Sequence, residues 1–306
     1  TMRNADGKLV TDITSVVKDA NCSLWVASYG SGLLRYDLRE ERTYTYDDEI
    51  LRHAHVVFCD ADGNVWVGTW GAGLIRLINP YAPGRMQYAR YKHREDDDTA
   101  LLDDIVYAIE EDITQNTLWV GTRSGLSILH DPNHRPSFQN FKPGEDVGDL
   151  PYNVNSIMRA RDNLMWIGML GGGVCKIQTA GMKFEFNRLD PVRARFNTSS
   201  VRSMYYIGEG EYWLGLLDFG LIRYNTRSGR IVSYREHPDL CVLPYTSTVN
   251  AIIRRNATSE LCFATWSSGV WCYDEKRHRV RQINRNTLPL FADDCVLALR
   301  EDPDGN

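Results

Sequence analysis

Tyr29, Trp70, Arg123 and Trp266 stand at one recurring position of this sequence, and His55 and Asn155 stand at a second. Side chains of these types can do recognition chemistry. Tyr and Trp rings stack on flat apolar surfaces such as the faces of sugar rings. Arg, Asn and His hydrogen-bond hydroxyls or carboxylates. The first position runs Tyr29, Trp70, Arg123, Leu170, Leu217, Trp266; the second runs Thr14, His55, Tyr107, Asn155, Arg202, Asn250. The frame around both is kept while the residues at them vary, as in a scaffold that presents a variable surface. Tyr29, His55, Trp70, Arg123, Asn155 and Trp266 are therefore the candidate ligand-binding residues. The plainer expectation is that they are ordinary contacts within and between repeats.

The frame is the stretch Leu24-Trp25-Val26-Ala27-Ser28-Tyr29-Gly30-Ser31-Gly32-Leu33. It returns as Val65-Trp66-Val67-Gly68-Thr69-Trp70-Gly71-Ala72-Gly73-Leu74, and again, shortened, as Leu118-Trp119-Val120-Gly121-Thr122-Arg123-Ser124-Gly125-Leu126. Copies around Trp166 and Trp213 follow, and a sixth carries Cys262 at the tryptophan position. A repeat of roughly 40 to 50 residues means a solenoid, a propeller or an array. Each unit parses into four short strands, here called a to d. In the first, Ile13–Lys18 is a, Leu24–Tyr29 is b, Leu33–Asp37 is c and Arg42–Tyr46 alternates like a half-wet strand d. Four-stranded units of this length are propeller blades. The spacing thus predicts one all-β propeller over residues 1–306, with blades at about 10–47, 51–91, 101–141, 150–187, 197–235 and 246–283. A seventh opens at 293–306 with its first strand alone, so the expectation is seven blades, the last incomplete. The tryptophan of strand b is expected to fill the gap between neighbouring blades. The b–c turns and d–a connections come out at one end of a propeller, which puts both variable positions on that rim.

Catalytic chemistry finds less support. Asp103, Asp104, Asp218, Asp293 and Asp294 could supply the two facing carboxylates of a glycosidase, but no motif pins a pair. No G-x-S-x-G, H-E-x-x-H or phosphate loop occurs. Asp60-Ala61-Asp62-Gly63 and Asp302-Pro303-Asp304-Gly305 open like calcium loops but lack the remaining ligands. They are read as hairpin turns, so no metal and no cofactor is expected.

The bulk numbers narrow the class. Net charge is −5 with no basic stripe, which argues against nucleic acid as a partner. No apolar run approaches the about 18 residues of a membrane-spanning helix. The seven cysteines are an odd count without C-x-x-C spacing, so neither a disulfide framework nor a zinc site is expected. Most lie in apolar strand patterns and are read as buried free thiols. Thr1 begins mid-pattern and Asn306 ends mid-repeat, so the chain reads as an excised piece of a longer protein.

Asp60-Ala61-Asp62-Gly63-Asn64-Val65-Trp66-Val67-Gly68-Thr69, followed by a Gly-Leu strand, resembles the two-component regulator propeller repeat. The resemblance covers residues 10 to 306 in six occurrences. It departs at Cys262, and at Met169 and Leu216 where Thr is usual. It implies the periplasmic sensor region of a Bacteroidetes-type hybrid two-component histidine kinase, an inner-membrane protein. It further implies a second propeller and a small β-sandwich as neighbours, and a homodimer in the full-length protein. The function implied is recognition of an oligosaccharide or other small ligand, and this piece would not itself be an enzyme. The alternatives are a protein-interaction or dimerisation platform without a small ligand, and a propeller glycosidase or lyase.

Overall fold

Alternating apolar and polar residues make each segment of the repeat a half-buried strand, and glycine closes the tight b–c turn because it adopts positive φ freely. Gly71, at φ 102°, is such a turn residue. In the computed structural model the described residues are 2–4, 7–46, 48–82, 86–142, 153–160, 164–179, 183–187, 200–244, 248–256, 258–289, 291 and 293–301. They form six antiparallel sheets of four strands in plain sequential order.

Blade one comprises β1 (Ile13–Lys18), β2 (Ser23–Ser28), β3 (Gly32–Asp37) and β4 (Arg42–Thr45). Blade two comprises β5 (Ala54–Cys59), β6 (Val65–Thr69), β7 (Leu74–Ile78) and β8 (Gln87–Tyr91). Blade three is β9 (Val106–Asp112), β10 (Thr117–Thr122), β11 (Gly125–His130) and β12 (Ser137–Phe141). Blade four is β13 (Val154–Arg159), β14 (Leu164–Met169), β15 (Gly173–Gln178) and β16 (Lys183–Asn187). Blade five is β17 (Val201–Gly208), β18 (Glu211–Leu216), β19 (Gly220–Asn225) and β20 (Ile231–Ser233). Blade six is β21 (Val249–Arg254), β22 (Leu261–Thr265), β23 (Val270–Asp274) and β24 (Arg279–Ile283). Helix is limited to three single 3-10 turns among the described residues, and none is long and apolar enough to cross a membrane.

The chain divides into two compact units, Met2–Phe186 with blades one to four and residues 187–306 with blades five and six. Within the first, β1, β5, β9 and β13 lie side by side; within the second, β17 lies beside β21. Within each unit, the seams between neighbouring blades are apolar clusters anchored by the strand-b tryptophan. Trp25 packs with Val57, Val65 and Ile75 of blade two. Trp66 packs with Val106, Leu118 and Leu129 of blade three, and Trp119 with Val154, Met165 and Ile177 of blade four. In the second unit Trp213 packs with Val249, Leu261 and Phe263. All four are at most 1% exposed. At roughly 25 cal/mol per Å² and 150–250 Å² per ring, each contributes about 4–6 kcal/mol of burial.

The rest of the motif serves the same seam. The turn aspartates Asp19 and Asp60 accept from the indole N–H of Trp25 (2.7 Å) and Trp66 (2.8 Å). Their other oxygens close the turn on backbone N–H groups of Ser23 and Asn64. That is the hairpin role expected of Asp60. The glycine two residues after the tryptophan lets the next blade approach. A Cβ on Gly121 would sit 2.5 Å from the Val154 carbonyl oxygen, and one on Gly68 would sit 2.5 Å from Val106. Thr69, Thr122 and Thr265 close the b–c turn by donating to Gly73, Gly125 and Gly269 carbonyls at 2.7–2.9 Å.

Two expectations are corrected. There are six four-stranded blades, and residues 295–301, expected as the first strand of a seventh, belong to no sheet. They lie against blade six: Val296 N–H donates to Thr265 O (2.9 Å), and Val296 and Leu299 pack on Val270. A first strand finds its ladder only on its own second strand, and 295–301 has none among the described residues. Asp302–Gly305 and the blade lead-ins at 150–152 and 197–199 lie outside the described residues. The second correction concerns sulfur. Cys262 and Cys272, directly opposed on β22 and β23, form a disulfide. Cys22, Cys59, Cys175, Cys241 and Cys295 are free thiols, of which only Cys175 is buried and Cys241 is exposed.

Candidate functional site: an aromatic rim on blades one to three

Two backbone devices recur in every blade and fix the variable positions. The first is a β-bulge near the start of the blade's first strand. The register with the second strand slips between Ile13 and Ser15, Ala54 and Val56, Val106 and Ala108, Val154 and Ser156, Val201 and Ser203, and Val249 and Ala251. The residue left over is Thr14, His55, Tyr107, Asn155, Arg202 and Asn250 in turn. A bulge leaves one residue out of the ladder and re-aims its side chain. The second device is a backbone hydrogen bond from the residue just past the second strand to the residue two before the bulge. Tyr29, Trp70, Arg123, Leu170, Leu217 and Trp266 donate to Asp12, His53, Ile105, Asn153, Ser200 and Thr248 at 2.8–3.1 Å. Both rows are therefore held by backbone, which leaves their side chains free to vary without loss of fold.

In the Met2–Phe186 unit these rows converge on one cluster of rings. His55 lies 5.5 Å from Tyr29, 5.4 Å from Trp70 and 5.9 Å from Tyr107, centroid to centroid. Trp70 is 5.4 Å from Tyr107 and 6.2 Å from Tyr29, both edge to face. Such pairs add about 0.5–1.5 kcal/mol each beyond burial. Tyr29 and Trp70 nevertheless remain 42% and 44% exposed. The cluster is a rigid platform with two large rings turned to solvent. Thr14, the bulge residue of blade one, donates to the His55 carbonyl at 2.5 Å and ties blade one to the platform.

Arg123 and Asn155 follow along the same backbone seam. Ile105 bridges Trp70 on one side and accepts from Arg123 N–H on the other. The Arg123 carbonyl accepts from Asn153 N–H at 2.8 Å, two residues before Asn155. Arg123 is exposed and its Nε donates to the buried Asp103 carboxylate at 3.1 Å. Trp266 holds the equivalent place on blade six, 53% exposed, in the residue 187–306 unit. Of the six sequence candidates, the structure brings Tyr29, His55 and Trp70 into ring contact. It sets Arg123 and Asn155 next along the rim. Tyr107 and Asp103 complete the arrangement although neither was among the six. Tyr107 occupies the bulge row and was legible there; Asp103 was weighed only as a catalytic acid.

The carboxylates considered for catalysis are occupied by structure. Asp103 accepts from Ile105 N–H (2.8 Å), Ser124 Oγ (2.6 Å) and Arg123. Asp104 accepts from His93 N–H and pairs with Lys92. Asp218 accepts weakly from Thr248, Asp293 from Cys295 N–H, and Asp294 from Arg285. No group of three or more potential metal ligands occurs among the described residues. A cavity of about 350 Å³ on blade five holds none of the six candidates; it is lined by Glu211, Arg223, Arg230 and His237, with Arg223 paired to Glu211.

Residues 52–71, which hold His55, Trp66 and Trp70, match the family model of the two component regulator propeller. No curated protein matches the chain. Among solved structures, the chain is similar to the extracellular domain of the putative hybrid two component system BT3049 from B. thetaiotaomicron. The TM-score is 0.75 at 19% identity, over 97% of this chain and 38% of that one. The extracellular domain of the putative hybrid two component system BT4673 from the same organism gives 0.75 at 19% identity, over 100% and 38%. Virginiamycin B lyase from Staphylococcus aureus gives 0.65 at 14% identity, over 89% and 84%. The chain thus spans less than two-fifths of the two extracellular domains, and the likeness is one of fold. It carries the two component regulator propeller repeat, on all-β propeller blades folded like those of the extracellular domains of hybrid two component systems.

Proposed function

We propose that this chain is a recognition propeller from the extracytoplasmic sensor of a hybrid two-component signalling protein, and that its rim on blades one to three binds an oligosaccharide. The observation that carries the proposal is the ring platform of Tyr29, His55, Trp70 and Tyr107, held by backbone and open to solvent. Exposed rings of this kind stack on the apolar faces of sugars. The repeat and the fold likeness support the sensor reading. The Cys262–Cys272 disulfide agrees with an oxidising compartment such as the periplasm.

Recognition rather than catalysis is the role assigned, since the candidate acids are bound up in turns and ion pairs. Bound sugar would favour one of two arrangements of the sensor by its differential affinity for them. The rest of the sensor, including a second propeller and a β-sandwich, would carry that bias, in a homodimer, to a kinase on the far side of the inner membrane. The test is calorimetric titration of the complete sensor region against plant, host and microbial oligosaccharides, with Trp70→Ala beside it. Binding of one glycan class that is lost with Trp70→Ala is expected. Binding that survives the substitution removes the site from this rim, and silence across the panel favours a protein-interaction platform.

A further inference from the structure

We infer that the ligand of this rim is an acidic oligosaccharide, a uronate-bearing chain whose carboxylate is taken by Arg123. The inference rests on the oligosaccharide reading above and adds the chemical class. Arg123 differs from its equivalents at the same position, which are aromatic or leucine, in being the one cation of that row. Its backbone is fixed on both sides, by its own N–H on Ile105 and by Asn153 N–H on its carbonyl. Its side chain is fixed as well. Asp103, 7% exposed, accepts from Arg123 Nε at 3.1 Å.

That carboxylate has no slack. Its Oδ1 is taken by Ile105 N–H and its Oδ2 is shared with Ser124 Oγ. Asp103 therefore acts as a positioning residue. It holds the guanidinium by Nε, and the two terminal nitrogens make no hydrogen bond among the described residues. The side chain as a whole is 58% exposed. Those two nitrogens present parallel N–H groups, the fork that matches the two oxygens of a carboxylate.

The backbone that carries the fork runs next to the platform. Ile105 alone separates Arg123 from Trp70, with which it forms an isolated β-bridge, and Tyr107, two residues on, packs its ring on Trp70. A pyranose stacked on Trp70 can direct a ring carboxylate to Arg123, and Asn155, one seam further along, can meet a hydroxyl of the next sugar. A neutral sugar would leave the Arg123 fork to water. Charge-assisted bidentate bonds are roughly twice as strong as neutral ones, so an acidic ligand should bind about tenfold or more tighter than its neutral counterpart.

The experiment titrates the complete sensor region with galacturonate, glucuronate and mannuronate oligomers, each beside the same oligomer carboxyl-reduced to its neutral sugar. At least one acidic oligomer is expected to bind about tenfold or more tighter than its reduced form, and less tightly as salt is raised. Arg123→Gln should erase that preference. Arg123→Lys should keep only part of it, because an ammonium is a point charge without the fork. Asp103→Asn should lower the acid-to-neutral ratio, a readout that mere loss of fold would not give. Equal binding of acidic and reduced oligomers, or an acid preference that survives Arg123→Gln, overturns the inference and leaves the oligosaccharide reading standing. Binding of neither overturns the inference, and silence across the wider oligosaccharide panel as well overturns both.

Discussion

Trp66 and Trp70 lie four residues apart, one inside a strand and one just past its end, and do opposite things. Trp66 is fully buried, its indole N–H held by Asp60 and its ring pressed on blade three. Trp70 is 44% exposed, and its ring packs on other rim rings. The difference is set by backbone. Trp66 points into a seam of the kind that Trp25, Trp119 and Trp213 also fill, so its type is dictated by volume. Trp70 follows the point where the strand leaves the ladder for the turn, held by an N–H that any residue but proline can supply. Packing fixes the first residue and leaves the second free for recognition. The same contrast holds between Trp119 and Arg123 in blade three.

The contrast is sharpened by substitutions of decreasing expected effect. Trp66→Ala should cost about 3–5 kcal/mol, as expected for truncating a core ring; urea unfolding would measure it, and a loss near 1 kcal/mol would break the assignment of Trp66 to the frame. Cys272→Ser should cost about 2–3 kcal/mol by reopening a short loop in the unfolded chain. Reductant added to the unaltered protein should lower its Tm similarly. Gly121→Ala places a Cβ against the Val154 carbonyl oxygen at 2.5 Å and should cost about 1–3 kcal/mol. Trp70→Ala should cost about 1 kcal/mol or less, since the ring is half exposed and packs on other rim rings. A larger loss would mean that Trp70 belongs to the frame.

The frame was legible in the sequence because it is periodic. Trp66, Gly68 and Thr69 recur together, and each has one physical job that the structure shows directly. The turn reading of Asp60 followed from its type and place. What stayed hidden depended on register. The bulges at His55 and Tyr107 leave no residue signature of their own. They show only as the residue before the one that pairs with the strand-b glycine or alanine, as His55 before Val56, which pairs with Gly68, and Tyr107 before Ala108, which pairs with Gly121. The Cys262–Cys272 bond escaped because cysteine spacing was compared with metal and redox motifs. With the turn centred between Thr265 and Gly269, hairpin register sets those residues opposite each other. The seventh blade was over-read from a real strand pattern at Cys295–Arg300 that has no second strand to pair with among the described residues.

The most direct measurement uses the eight tryptophans themselves. A ¹⁵N spectrum of the indole N–H groups, assigned by single Trp→Phe substitutions, would be followed while the oligosaccharide found by titration is added. The account predicts that the Trp70 signal shifts in proportion to bound ligand while those of Trp25, Trp66 and Trp119 stay where they are. Shifts at the buried tryptophans with none at Trp70 would contradict it, and would place recognition somewhere other than this rim.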